Sequence, residues 1–271
     1  MSDTSRVSPT AHYTAYVWFR NGLSHPRLGT PTGRFLYGTL APLNAAYHRI
    51  TGNPDLEANL LGRHRTIDGL LERAIASGEI RSTMEIAAGL SPRGLRFAAR
   101  HPDLVYLEGD LPDMAATKRD LLGGLLGPNH RVAEVNALVD GGPESLYAAA
   151  DSLPPGGAGI ITEGLLNYFD EESVRALWRR IASILRRRGG VYLADLSVAE
   201  ETRGMAARGF KRLLEVFVRG RLHVHFATVE AARGALLEAG FASATLHTLG
   251  EGGPYMARVI EARAPVVGSG A

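Results

Sequence analysis

Four acids sit where a carboxylate is costly to hold. Glu85, Glu108, Asp110 and Glu163 each fall inside or at the end of a short apolar run, and a buried carboxylate needs a cation or hydrogen-bond donors beside it. The run around Glu85 reads M-E-I-A-A-G-L-S-P-R-G over residues 84–94. This is a strand, a turn of small residues and the first turn of a helix. Such a turn lets a ligand approach the backbone, and the helix behind it offers free N–H groups and the positive end of its dipole. An acid about twenty residues further on suits the hydroxyls of a ribose, a spacing met by both Glu108 and Asp110. The residue types therefore point to a nucleoside-bearing ligand with Gly89 at the turn.

The turn is not a full G-x-G-x-x-G, because its positions run Ala87, Gly89 and Gly94, with Ser91 also small. A dinucleotide's pyrophosphate asks for more bare backbone than that, which counts against an NAD-dependent oxidoreductase. Glu85, inside its strand, calls for a cationic ligand or for an Arg of the N-terminal region. The run I-I-T-E-G-L-L-N-Y-F brings Glu163, Asn167 and Tyr168 to one strand end, and V-N-A brings Asn136 and Ala137 to another, where an amide can meet an adenine edge.

Other polar residues have plainer readings. His223 and His225 alternate and share one strand face; two such ligands without a third make a polar face rather than a metal site, although His223 can also approach an acceptor. His12 lies among Tyr13, Tyr16 and Trp18, which reads as helix packing or as contact with an acceptor. Arg179, Arg180 and Arg186–Arg188 form the solvated face and cationic last turn of a helix. Ser145, Ser152 and Ser173 lack a nucleophile elbow. The chain has no Cys, so disulfides and thiol chemistry are excluded.

Elements that place these residues follow from pattern. Residues 1–78 read as an N-terminal helical cap, with helices at Phe35–Ile50 and Leu56–Ala76 after a turn region marked by Pro26, Gly29, Pro31 and Gly33. From Arg81 strands and helices alternate. Strands are expected at Thr83–Ala88, Leu104–Glu108, Arg131–Asn136, Gly159–Glu163, Gly190–Asp195, Thr245–Thr248 and Tyr255–Glu261. Helices are expected at Pro92–Arg100, Pro112–Leu122, Pro143–Ala149, Glu171–Leu185 and Val229–Ala239, with a helical insertion over residues 198–221. Repeated β–α units imply an α/β fold with a doubly wound, mostly parallel sheet. Residues 79–263 form this core as one unit with the cap, and residues 264–271 form a flexible tail.

The totals agree with one large domain. The 271 residues carry 30 basic and 28 acidic side chains, a net charge of +2, too balanced for a general nucleic-acid binder. The start MSDTSRVSPT lacks the apolar core of a signal peptide, and no run is long enough to span a membrane. A cytoplasmic protein with a small-molecule acceptor, and with neither nucleic acid nor membrane as partner, is the expectation.

Three stretches carry a family resemblance: M-E-I-A-A-G-L-S-P-R-G, V-Y-L-E-G-D-L-P-D-M-A-A-T-K and I-T-E-G-L-L-N-Y-F. They resemble the leucine carboxyl methyltransferase superfamily, and more closely its bacterial branch related to the polyketide O-methyltransferase of tetracenomycin biosynthesis. The opening S-P-T-A-H-Y-T-A-Y-V-W-F-R-N-G-L-S is similar to that branch as well. The resemblance covers roughly residues 8–262. It implies a Rossmann-like, class I methyltransferase that uses S-adenosyl-L-methionine, with O-methylation of a small polyketide-like or other secondary metabolite as the expected reaction. Transfer to N, S or C, or a non-catalytic nucleotide-binding role, are the alternatives. It implies cofactor roles for Gly89 at the turn, for Asp110 or its neighbour Glu108 at the ribose, and for Asn136 and Ala137 at the adenine. Glu163 falls on the methionine side, and Arg65 at the methionine carboxylate, with Arg63 two residues away. No catalytic base is named by the motifs; His12, Tyr168 and His223 are the candidates, and no metal is expected.

Overall fold

A computed structural model describes residues 9–201, 223–250 and 255–266. Seven strands form one sheet: β1 (Ser82–Ile86), β2 (Val105–Asp110), β3 (His130–Glu134), β4 (Ala158–Thr162), β5 (Gly190–Leu196), β6 (Ser243–His247) and β7 (Arg258–Arg263). Their order is β3-β2-β1-β4-β5-β7-β6. Strands β1 to β5 are parallel, and β7 runs antiparallel to both β5 and β6. The chain winds outward from β1 through β2 to β3, then returns to β4 on the other side of β1. That reversal leaves a crevice at the carboxyl ends of β1 and β4, where open α/β sheets bind ligands.

Strand β1 is buried along its whole length, so its two faces serve two cores. Met84 and Ile86 point into the cluster built from α6 (Leu146–Asp151), α7 (Glu171–Arg188) and α8 (Val229–Glu238). The opposite face of the sheet is covered by α3 (Leu56–Ala76) and α4 (Arg93–Arg100), which contribute Ile67, Leu70, Leu71 and Phe97. Glu85 alternates onto this second side, beside α4.

The N-terminal helices start where their caps dictate. Helix α2 runs Pro31–Thr51 rather than from Phe35, because Thr30 Oγ1 accepts the Gly33 N–H at 3.1 Å and Pro31 takes the first helical position. It ends on Gly52 at φ 68°. Helix α3 begins at the Asp55 cap, whose Oδ1 accepts the Ala58 N–H at 2.8 Å, and spans the residues its apolar spacing predicts. It lies directly on the sheet as well as under α1 (Pro9–Arg20), so the N-terminal region is a layer of the molecule as well as a cap.

Other boundaries shift for similar local reasons. Helix α6 begins at Leu146 instead of Pro143, since Ser145 supplies the cap to Ala148. Helix α5 (Pro112–Leu122) matches its expected span. Strand β7 begins at Arg258 rather than Tyr255. Of the expected insertion after β5, Ala199–Glu201 form a short 3-10 turn and Val198 bridges Phe226; residues 202–221 lie outside the described residues, as do 267–271 of the tail.

Candidate cofactor site

The turn after β1 is built from backbone conformations that most residues avoid. Ala87 has φ 54° and Gly89 φ 49°; the left-handed region costs an L-residue roughly 1–2 kcal/mol, so Ala87 is strained where Gly89 is not. A side chain added at Gly89 would meet the Ala11 Cβ at 3.4 Å, so α1 lies over the turn at van der Waals distance. The parallel register pairs Ile86 with Gly109, which brings Asp110, the next residue of β2, level with the turn. Asp110 Oδ2 accepts the Gly89 N–H at 2.7 Å and Oδ1 accepts the Leu111 N–H at 2.8 Å. Burial pushes the Asp110 carboxyl up, opposed by these two N–H donors.

Behind the turn lies a network of buried charges that sequence reasoning did not name. Arg93, in the first turn of α4, is fully buried and donates to Glu85 Oε1 at 2.5 Å, to Glu163 Oε2 at 2.5 Å and to Asp68 Oδ1 at 2.7 Å. The Tyr106 hydroxyl donates to Glu85 Oε2 at 2.7 Å. His64 Nδ1 lies 2.9 Å from Glu163 Oε2, and Arg96 donates to Asp68 Oδ2 at 2.6 Å. Burial alone would raise the Glu163 carboxyl, yet His64, Arg93 and Arg63 overcome it and hold the group far below the usual carboxylate range. Burial raises the Tyr106 phenol, and the Glu85 charge raises it further. Glu85 has both oxygens engaged by protein groups; its partner is the Arg of α4, neither a ligand nor an Arg of the N-terminal helices.

Nearer the crevice, Arg63 of α3 reaches the ends of β4 and β5. Its Nε donates to Glu163 Oε1 at 3.1 Å and its guanidinium to Asp195 Oδ2 at 2.9 Å. The other Asp195 oxygen accepts the Gly164 N–H at 2.5 Å. Arg65, two residues on, points elsewhere. It is exposed and lines a cleft of about 430 Å³ with Ala58, Leu61, Gly62, Leu249 and Tyr255. Two residues on a helix differ by about 200°, so only one of this pair can face the crevice, and it is Arg63.

Glu108 is likewise turned away. It is buried between Lys118 Nζ at 2.8 Å and His130 Nε2 at 3.0 Å, and Gly94 of α4 packs against its carboxylate. Of the two candidate ribose acids, Asp110 is thus the one beside the turn. Asn136 uses Oδ1 to accept the Leu138 N–H at 3.0 Å, which closes its own loop and leaves its amide NH₂ available. Ala137 is buried next to it, whereas Leu138 is exposed.

The catalytic candidates are dispersed. Tyr168 donates to Thr10 Oγ1 at 3.2 Å, at the start of α1, and burial raises its phenol. His12 Nδ1 is 2.8 Å from Thr30 Oγ1, and burial lowers its pKa. His223 is exposed, its N–H donating to the Asn167 carbonyl at 2.9 Å. Its ring stacks on His225 at 5.9 Å, as alternation on one strand face predicts, although neither residue lies in a sheet strand. His225 Nε2 contacts the Phe169 carbonyl at 2.7 Å. No group of three His, Cys, Asp or Glu able to hold a metal occurs among the described residues.

The turn closed by Asp110 thus has a cation, Arg63, and two acids, Glu163 and Asp195, at the neighbouring strand ends. The family model of leucine carboxyl methyltransferase matches residues 34–182. The chain belongs to that family. Solved structures repeat the fold. A DUF574 family protein from Streptomyces avermitilis aligns with TM-score 0.68 at 15% identity over 97% of this chain and 99% of its own. An O-methyltransferase family protein from Burkholderia thailandensis aligns with TM-score 0.54 at 18% identity, over 94% of this chain and 71% of its own. The magnesium protoporphyrin IX methyltransferase of Synechocystis, solved with bound SAH, aligns with TM-score 0.51 at 14% identity over 85% and 99%. No curated protein sequence matches this chain. The doubly wound sheet is therefore the scaffold that this chain shares with these solved structures.

Proposed function

We propose that this chain is an S-adenosylmethionine-dependent O-methyltransferase acting on a carboxylate or hydroxyl of a small, polyketide-like metabolite. The observation that carries this reading is the Asp110 carboxylate set against the left-handed Gly89 turn. Family membership and the SAH-bound neighbour of the same fold support it. The residues present suit the cofactor's chemistry. Asp110 is an acceptor for ribose hydroxyls. Arg63 offers a cation to a carboxylate, while Glu163 and Asp195 offer anions to an ammonium. The amide of Asn136, with Ala137 and the exposed Leu138, offers a donor and an apolar edge to adenine.

When bound, the cofactor supplies a methyl group on a sulfonium, with a good leaving group already in place. The protein has then to align an acceptor oxygen and exclude water. Helix α1 serves the second task by laying Ala11 over the turn. A carboxylate acceptor is ionised at neutral pH and asks for no base. For a hydroxyl acceptor, burial favours the neutral His12 ring, which can take a proton, whereas burial keeps the Tyr168 phenol protonated and unsuited to act as the base. Calorimetric titration with S-adenosylhomocysteine, followed by transfer of labelled methyl from the cofactor to a panel of carboxylates and phenols, tests the proposal. Absence of binding, with Asp110→Ala making no difference, would sink it; label on nitrogen, sulfur or carbon would move the acceptor class.

A further inference from the structure

Helix α2 presents an apolar ridge that no described residue buries. Phe35 is 70% exposed, Leu43 48% and Ile50 81%, three of the seven large exposed hydrophobic side chains among the described residues. At 100° per residue they fall within about 80° of arc, along roughly 22 Å of helix. Ala46 and Thr39 share this arc, Pro42 borders it, and all three are exposed. The shape matters: this is a convex row of side chains, suited to entering a soft apolar layer rather than to receiving a partner helix in a groove.

The charge on α2 itself has one sign; Glu57 of α3 accepts from Tyr37 of α2 and pairs with Arg20. Helix α2 contains no Asp or Glu; the exposed Arg49 lies about 40° beyond one edge of the apolar arc, the exposed Arg34 about 100° beyond it, and the exposed His48 on the opposite side of the helix. The bias is wider than the helix. Residues 4–54 hold five arginines and no acid, although the whole chain has nearly equal numbers of each sign. An amphipathic helix with bases beside a row of Phe, Leu and Ile is the pattern that lies in the interface of an anionic bilayer, its apolar side chains among the acyl chains and its cations at the headgroups. A second copy of this chain is a poor fit. Antiparallel pairing about Leu43 would set Arg34 of each copy near Arg49 of the other, with no acid on either helix to compensate.

We infer that α2 is a peripheral docking face for an anionic lipid surface. No helix of the described residues is long and apolar enough to cross a membrane, so the contact is one of lying on the surface, not of spanning it. Helix α2 is linked to the crevice through its buried face, not through the ridge. Gly33, in the first turn of α2, packs against His12 and Tyr16 of α1, and the same α1 covers the Gly89 turn with Ala11.

The test is cosedimentation of the full chain with vesicles of phosphatidylcholine alone and of phosphatidylcholine with about a third phosphatidylglycerol, beside sedimentation velocity without lipid. The expected result is at least about tenfold stronger partition onto the anionic vesicles. Arg34→Glu/Arg49→Glu should abolish that preference, and Phe35→Ser/Ile50→Ser should abolish binding, both with unchanged melting because all four side chains are exposed. Three results would overturn the inference: no vesicle binding, binding indifferent to headgroup charge or to both double variants, or a lipid-free dimer dispersed by Phe35→Ser/Ile50→Ser, which would assign the ridge to a second copy. An acidic protein partner would show as the absence of vesicle binding with the wild-type chain monomeric.

Discussion

Arg93 and Glu163 meet at 2.5 Å with both side chains buried, although seventy residues separate them in the chain. The contact ties the helix after β1 to the end of β4, and Asp68 and Glu85 extend it to α3 and to β1 itself. The turn after β1 is held from behind by charge, not only by packing.

Removing the cation at the centre should therefore be costly. Arg93→Met leaves three carboxylates facing one another without their shared partner, and breaking a buried pair in this way costs about 3–5 kcal/mol. Urea unfolding of the two proteins would measure it. A loss below about 1 kcal/mol would mean that water or rearrangement replaces the guanidinium without difficulty.

Acid should release the same network. Asp68, Glu108 and Glu163 are each held below their ordinary values by arginines, Lys118 or histidines that outweigh burial. Carboxyls lowered in the folded state lend stability that is whole above the unfolded value, near 4.5 for a Glu, and is lost as pH falls through the folded value. Asp110, raised by burial, has the opposite sign: its contribution is present at low pH and fades as pH rises. Three lowered groups outweigh one raised group, so the melting temperature should drop steadily as pH falls below the ordinary carboxylate range. A flat profile there would contradict the network.

Cofactor affinity should separate the two arginines of R-H-R. Arg63→Gln and Asp110→Ala should each weaken S-adenosylhomocysteine binding by about 10–100-fold, whereas Arg65→Gln, on the far side of α3, should leave it within about twofold. Isothermal titration of the three variants decides. A large loss from Arg65→Gln alone would return the carboxylate to the residue that the family motif suggested.

Gly94 should tolerate no side chain. A Cβ there would lie 2.6 Å from Glu108 Oε1 and 2.6 Å from His130 Nε2, both buried. Gly94→Ala should destabilise by about 1–3 kcal/mol through overpacking, measured as a shift in the urea midpoint. An unchanged midpoint would show that the Glu108 pair moves freely.

Much of the architecture was legible because it rests on local pattern. Alternation of apolar runs with helical spacing marked every strand of the sheet, and α3 and α5 matched their expected spans because Asp55, Pro112 and the apolar repeat all act within one or two turns of chain. Boundaries slipped where a cap outranked the repeat, as Thr30 did for α2 and Ser145 for α6. Site residues were less legible. A strand position predicts that Glu85 is buried, but nothing near it in sequence says which cation it finds. Arg93 stood in the quoted S-P-R-G and Asp195 at the end of an expected strand; each carried a signal, burial of a charge beside the crevice, that only becomes a role once its distant partners are known.

The sequence by itself determined the family, the turn and the acids that flank it, because these are short motifs whose chemistry is contained in their own residues. Tertiary structure decided which acid serves which purpose. Glu108 and Asp110 are two residues apart on β2, so both side chains project from the same face; what distinguishes them is what packs there, Lys118 and His130 for one and the Gly89 turn for the other. Arg63 and Arg65 differ by half a turn of α3, and the packing of that helix on the sheet settles which one looks into the crevice. Such choices are made by contacts between residues far apart in the chain, and no local pattern encodes them.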